Sequence, residues 1–289
     1  MKITIDSDSG FCFGVEKAIE IAEQHLENSG KLYSLGQIVH NEEEIERLER
    51  KGMVTIEHSK LNDSNDAKIL LRAHGEPPET FKIAKEKKLK IIDATCPIVV
   101  RLQKRVKKAY DEMTPVDGQV ALFGTKNHPE TIGLAGQTEY TAIIIETPDE
   151  AEKIDTSRPL RLFAQTTKNK YEYKKLIEIL KRKYAERNGL QDFIHYNTVC
   201  KLVSGRGEHL KKFCKENDAI IFISGKQSSN GKYLYGLCKS SNPNSYHISA
   251  PADLKKEWFK NAETVGISGA TSTPKWLMEN VAEKIRSIV

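Results

Sequence analysis

Apolar residues along this chain fall into two alternating patterns. Short, dense runs such as Lys2-Ile-Thr-Ile5, Lys68-Ile-Leu-Leu71 and Ala219-Ile-Ile-Phe-Ile223 have the length and β-branched content of buried strands. Between them lie stretches in which apolar positions recur every three or four residues, as in Tyr173, Leu176, Ile177 and Leu180, or Met278, Val281, Ala282 and Ile285. That spacing predicts helices with one buried face. Local punctuation agrees: Asn41-x-x-Glu44 and Gly52 mark the two ends of a helix after His40, and Pro97 suits a first helical turn. Strand and helix alternating from end to end predict α/β construction with parallel sheets.

The alternation also repeats, with a period of about a hundred residues. In each copy a strand runs into a cysteine and then a helix. Lys2–Asp6 leads to Gly10-Phe-Cys-Phe-Gly14 and a helix with Val15, Ala18, Ile19 and Ala22. Lys90–Asp93 leads to Ala94-Thr-Cys-Pro97 and a helix with Val99, Leu102, Val106 and Ala109. Asp192–Tyr196 leads to Thr198-Val-Cys200, then Val203, Leu210 and Phe213. A strand with a polar loop follows each: Leu32–Leu35 then His40, Val120–Phe123 then His128, Ala219–Ile223 then Ser228-Ser-Asn230. After a β-rich run without such a loop comes another strand and a second polar loop: Lys68–Arg72 then His74, Leu160–Phe163 then Thr166-Thr167, Thr264–Ile267 then Thr271-Ser-Thr-Pro274. Three α/β units are expected, over residues 1–96, 97–199 and 200–289, pairing of residues 1–13 with the third unit being the alternative for that segment. Parallel sheets bind ligands beyond the C-terminal ends of their strands. Every cysteine and polar loop named above falls at such an end. Were the units to converge on those ends they would line one cavity; three copies side by side are the alternative.

Composition narrows the function. The 289 residues, with 38% hydrophobic and 29% charged, are those of a folded chain. No apolar run reaches the roughly 18 residues of a membrane span, and the opening Met-Lys-Ile-Thr-Ile-Asp reads as a strand, not a signal peptide. A cytoplasmic protein with reduced thiols is expected. The net charge of +5 is modest, and basic runs such as Lys104-Arg-Val-Lys-Lys108 lack interleaved aromatics. They read as solvated helix faces, which argues against nucleic acid and leaves anionic substrates or an acidic redox partner compatible.

Five cysteines, none in a Cys-x-x-Cys pair, argue against a disulfide framework or zinc ribbon. Cys12, Cys96 and Cys200 recur at equivalent repeat positions, whereas Cys214 and Cys238 lie among Leu210, Phe213, Leu234 and Leu237 as packed thiols. Three thiolates can bind zinc, which normally completes itself with a fourth Cys or His. They can also hold an iron–sulfur cluster one ligand short of its usual four, leaving one iron open. His40, His74 and His128, with nearby Ser, Thr and Asn side chains, offer the donors and positive charge that a diphosphate needs. Glu130, in His128-Pro-Glu130, reads either as a general acid or as a cap on the short helix that follows.

Taken together, Gly10-Phe-Cys-Phe-Gly-Val15, Ile38-Val-His-Asn41, Arg72-Ala-His-Gly75, Asp93-Ala-Thr-Cys-Pro97, His128-Pro-Glu130, Gln165-Thr-Thr167, Ser228-Ser-Asn230 and Gly269-Ala-Thr-Ser-Thr-Pro274 resemble the 4-hydroxy-3-methylbut-2-enyl diphosphate reductase family of the non-mevalonate isoprenoid route. The matches run in the family's order along the whole chain. One segment departs: where the family tends to carry Thr-x-x-Arg-Gln, this chain has Val203-Ser-Gly-Arg-Gly207. The resemblance implies a trefoil of three α/β units around one central [4Fe–4S] cluster held by Cys12, Cys96 and Cys200. It implies a diphosphate held by His40, His74, Ser228, Ser229, Asn230 and Ser272 with His128 close by, Thr166 nearest the substrate, and Glu130 as proton source. It also implies reductive loss of the substrate's hydroxyl, giving isopentenyl and dimethylallyl diphosphate. No flavin or nicotinamide fingerprint is present, so an external ferredoxin- or flavodoxin-type donor is expected. Two other classes compete. A cluster-based sensor would need the cysteines without Glu130 or the Ser-Ser-Asn loop, and a metal-free diphosphate-binding module would need the loops without the cysteines.

Overall fold

The computed structural model describes residues 1–63 and 67–289. In chain order the strands and α-helices are β1 (Lys2–Ile5), α1 (Phe13–Ser29), β2 (Leu32–Leu35), α2 (Glu42–Arg50), β3 (Met53–Ile56), β4 (Lys68–Leu71), α3 (Pro78–Glu86), β5 (Lys90–Asp93) and α4 (Pro97–Met113). They continue with β6 (Gln119–Phe123), α5 (Pro129–Gly136), β7 (Ile143–Ile145), β8 (Leu160–Ala164), α6 (Lys170–Ala185), β9 (Phe193–His195), α7 (Lys201–Ser204) and α8 (Arg206–Lys215). The last are β10 (Ala219–Ile223), α9 (Ser229–Ser241), β11 (Ser245–Ile248), β12 (Thr264–Gly269) and α10 (Lys275–Ile288). The predicted helix after Cys200 is broken at Gly205 into α7 and α8.

Among the described residues the strands form three four-stranded sheets, in the orders β1-β12-β10-β11, β3-β2-β4-β5 and β7-β6-β8-β9. This is the expected α/β fold with parallel sheets and surrounding helices. The strand that runs into a cysteine always lies at an edge, paired in parallel with the neighbour that ends in the second polar loop: β1 with β12, β5 with β4, and β9 with β8. For β1 that neighbour comes from the far end of the chain, Ile5 opposite Ile267.

The chain divides into two compact lobes, residues 1–55 with 201–289, and residues 56–200. In the first lobe, central strand β10 is buried along its whole length, as its unbroken apolar run requires. One of its faces packs with Leu277, Met278, Val281 and Ile285 of α10, the other with Leu210 and Phe213 of α8 and Leu234 of α9. In the second lobe β6 holds the same place. Ala121 and Phe123 face Tyr173, Leu176 and Leu180 of α6, while Val120 and Leu122 face Leu102, Val106 and Ala109 of α4. Each large apolar side chain so enclosed contributes about 1.5–3 kcal/mol relative to exposure. These cores fix the strand ends from which the polar loops and cysteines project.

Candidate functional site

The three cysteines stand at equivalent points of their sheets. Cys12 and Cys96 immediately precede α1 and α4, and Cys200 immediately precedes α7. Each backbone N–H donates to a carbonyl in the polar loop after the neighbouring strand: Cys12 to Thr271 at 3.2 Å, Cys96 to Ala73 at 3.1 Å, and Cys200 to Thr166 at 2.8 Å. All three thiols are free of disulfides and partly exposed. Cys214 and Cys238 are different. They are fully buried and hydrogen-bonded to each other, which lowers the pKa of Cys214 and raises that of Cys238.

In the second lobe, the loop that receives Cys200 also engages Glu130. Thr166 donates from its backbone N to Glu130 Oε1 and from Oγ1 to Oε2, both at 2.7 Å. The carboxyl is 2% exposed. Burial pushes its pKa up to about 7, against the two hydrogen bonds from Thr166 that pull it down. Glu130 does not cap α5; His128 does, its Nδ1 accepting from the Glu130 N–H at 3.1 Å. In the neutral ring the proton then sits on Nε2. The His74 and His128 rings meet edge to face, 5.3 Å between centroids. The His74 loop is braced by buried Glu76, which bonds His58 Nε2 at 2.6 Å and lies 3.6 Å from Arg72 Nε.

The first lobe repeats this arrangement with a different side chain. Thr271 donates from N and from Oγ1 to Asn230 Oδ1, both at 3.1 Å. Asn230 is 4% exposed, and its Nδ2 is buried without a hydrogen-bond partner among the described residues. Ser228 caps α9 by accepting from Gly231 N, and Ser272 Oγ reaches Ser228 Oγ at 3.4 Å. Ser229, partly exposed, opens the same helix. His40 belongs to this lobe as well. A Cβ on Gly225 would come within 2.2 Å of the His40 carbonyl oxygen, so only glycine lets the His40 segment lie against the loop after β10. After His40, Asn41 caps α2, and the fully buried Glu44 ties that helix to α10 through Trp276 Nε1 at 2.7 Å.

The first lobe therefore brings together Cys12, His40, Ser228, Ser229, Asn230 and Ser272, and the second holds Cys96, Cys200, His74, His128, Glu130 and Thr166.

A family model described as LytB protein matches residues 3–286. The chain belongs to the LytB protein family. Among LytB relatives, the 4-hydroxy-3-methylbut-2-enyl diphosphate reductase of Phocaeicola vulgatus is 47% identical over 286 residues, covering 99% of this chain and 98% of the relative. The protein of the same name from Porphyromonas gingivalis is 45% identical, with 99% of each chain covered. Two solved structures resemble the fold. The E-1-hydroxy-2-methyl-but-2-enyl-4-diphosphate reductase of Plasmodium falciparum has a TM-score of 0.84 at 28% identity, over 98% of this chain and 87% of that one. An (E)-4-hydroxy-3-methyl-but-2-enyl diphosphate reductase, titled the terminal enzyme of the non-mevalonate pathway, has a TM-score of 0.73 at 35% identity over 99% of both.

Thr271, the neighbour of Ser272 in the same motif, is a residue of this site that the motif alone does not single out. Its likeness to Thr166 was readable from the loop order, since both follow the last central strand of their sheets. Arg206 and His209 carry no local signal, because their partners lie about two hundred residues away. Among the described residues no helix is long and apolar enough to cross a membrane.

Proposed function

We propose that the chain is a 4-hydroxy-3-methylbut-2-enyl diphosphate reductase, replacing the allylic C–OH of its substrate by C–H with two electrons and two protons and releasing water. Membership of the LytB family and the names of its relatives support this reading. The observation that carries it is Glu130, a buried carboxyl with a pKa near 7, tied by two hydrogen bonds to the residue whose carbonyl holds the Cys200 amide. A sensor without turnover would have no use for a proton source there.

Cys12, Cys96 and Cys200 would hold one [4Fe–4S] cluster per chain, one ligand following the edge strand of each sheet. The donor set suits it: three partly exposed thiols outside any disulfide, each immediately before a helix. When bound, such a cluster supplies an open iron for the hydroxyl oxygen and a path for single electrons. The remaining work belongs to the protein. His40, His74, Ser228, Ser229, Asn230 and Ser272 hold the diphosphate, with His128 close by; the buried Asn230 Nδ2–H suits a phosphate oxygen. Thr166 lies nearest the reacting carbon atoms and orients Glu130. Glu130, poised near neutrality, gives up its proton and recovers another. Protonation at one or other end of the allyl system yields isopentenyl or dimethylallyl diphosphate. An acidic ferredoxin- or flavodoxin-type protein would supply the electrons to this chain of net charge +5, in the reducing cytoplasm, where thiols stay out of disulfides.

Anaerobic reconstitution with iron and sulfide tests the reading. Cys12→Ser, Cys96→Ser and Cys200→Ser are each expected to lose the brown chromophore, while Cys214→Ser and Cys238→Ser keep it. Wild-type protein that takes up stoichiometric zinc and no iron would overturn the redox function.

A further inference from the structure

The three cysteine arms differ in length. Two residues separate β5 from Cys96 and four separate β9 from Cys200, but six separate β1 from Cys12. The short arms are tied by local bonds. Asp93 Oδ1 accepts from Thr95 N and Oγ1, and Thr198 Oγ1 bonds both N and O of Ala164. The long arm, residues 6–11, passes through Gly10 at φ +110; Ser9 N and Oγ donate to the Asp6 carbonyl within it, and beyond these local bonds it takes support from α8. Arg206 Nη1 donates to the Gly10 carbonyl at 2.9 Å. His209 Nε2 lies 2.9 Å from Asp6 Oδ1, and its Nδ1 lies 3.4 Å from Asp8 Oδ2. Asp6 is 5% exposed and also accepts from Ser268 Oγ at 2.8 Å and from Asp8 N at 3.0 Å. Burial pulls the pKa of half-buried Arg206 down, and the negative charges of Cys12, Asp6 and Asp8 favour its charged form; its bond to Gly10 places that charge two residues from Cys12 along the arm. The altered segment fits this packing: Val203 of α7 is buried, and a Cβ on Gly207 would stand 3.1 Å from Leu237 Cδ1, so α8 lies close on α9.

We propose that Arg206 and His209 are positioning residues for the Cys12 arm, holding residues 6–12 in the shape in which the thiol ligates, and that the Arg206 charge favours the reduced state of the bound cluster. The idea rests on the reading of Cys12 as a cluster ligand. Its physical basis is twofold. A charge-assisted bond to a loop carbonyl restrains a segment that has no sheet or helix of its own. A fixed cation beside a thiolate ligand stabilises added negative charge, one of the levers that set cluster potentials.

Wild type, Arg206→Gln, Arg206→Lys and His209→Gln are compared by two readouts. One is amide hydrogen exchange over residues 6–12 in metal-free protein, and the other is the midpoint potential after anaerobic reconstitution. Arg206→Gln is expected to exchange several-fold faster in that segment and to shift the reduced-to-oxidised ratio about tenfold toward oxidised, about 59 mV for one electron. Arg206→Lys keeps the potential within a third of that shift while exchange still quickens, and His209→Gln quickens exchange around Asp6 with the potential unchanged. Wild-type exchange over residues 6–12 in Arg206→Lys and His209→Gln overturns the positioning role, and decides it even should Arg206→Gln fail to fold. An unchanged potential in Arg206→Gln, or a loss as large in Arg206→Lys, overturns the charge effect. Wild-type protein without iron would instead refute the cluster reading, and the metal-free exchange data would still judge the clamp.

Discussion

Glu130 in the second lobe and Asn230 in the first occupy the same place in two copies of one backbone arrangement. Each lies near the start of the helix after a central strand, and each accepts two hydrogen bonds from a threonine whose own carbonyl accepts from a cysteine amide. The frame is the same and the chemistry is not. A carboxyl in this frame has an oxygen for each threonine donor, and burial leaves it able to keep or lose a proton near pH 7. A carboxamide satisfies both donors with one oxygen and turns a permanent N–H toward whatever else is present. The repeat thus supplies geometry, and the terminal group of the side chain sets what each copy can do there: a carboxyl can exchange a proton, a carboxamide keeps its N–H donors.

Glu130→Gln makes the second lobe resemble the first, and the largest effect is expected there. General acid–base groups contribute about 10²–10⁴-fold, so turnover with a chemical reductant should fall by that order while cluster and product binding persist. The same substitution changes stability against pH. Below about pH 4.5 the carboxyl is protonated folded and unfolded alike. As pH rises toward about 7 the unfolded chain releases this proton first, so wild-type stability drops and then levels off. A shift of this size corresponds to something on the order of 3 kcal/mol. Glu130→Gln should lack that drop in melting curves taken across the range. A cooler melt with near-normal turnover would mean the residue is structural.

The reverse exchange, Asn230→Asp, puts a carboxylate where a phosphate oxygen is expected and removes the Nδ2 donor. Loss of one charge-assisted hydrogen bond costs about 1.5–3 kcal/mol, a factor of roughly ten to a hundred and fifty in affinity. His40→Ala should fall in the same range. Titration with product diphosphate measures this directly, and unchanged binding in both variants would remove these loops from the diphosphate site.

How far this pairing could be read without coordinates depends on what each residue's neighbours report. Strand runs, helix faces and the cysteine positions were legible because burial imposes local periods of two and 3.6 residues, and because β6, β8, β10 and β12 each end in a recognisable polar loop. The competing cap reading of Glu130 was also local, and the structure assigns that cap to the preceding His128. What was not legible is contact across distance. Nothing near Asp6 announces His209, and nothing near Asn230 announces that Thr271, 41 positions on, gives it two hydrogen bonds. Such pairings are fixed by sheet order, and an unmarked edge strand such as β1, paired with β12, carries no local trace of its partner.

The finest distinction between the lobes lies in the threonines, and Thr166→Val and Thr271→Val isolate it. Valine keeps the shape and the backbone N–H but removes the hydroxyl donor. In the first lobe this takes one of two bonds from an uncharged carboxamide, a loss of about 1 kcal/mol in stability. The pH dependence of turnover should not move. In the second lobe the lost bond is to Glu130 Oε2, and hydrogen bonds to a carboxylate favour its charged form. Removing it drives the carboxyl pKa further up from about 7. Turnover that depends on the protonated acid should then persist to higher pH in Thr166→Val, its alkaline limb displaced upward, whatever happens to its maximum rate. Full pH–rate profiles of both variants beside wild type decide the matter. An alkaline limb that stays put in Thr166→Val, or that moves equally in Thr271→Val, would detach the limb from Glu130 and leave the two lobes chemically alike at this position.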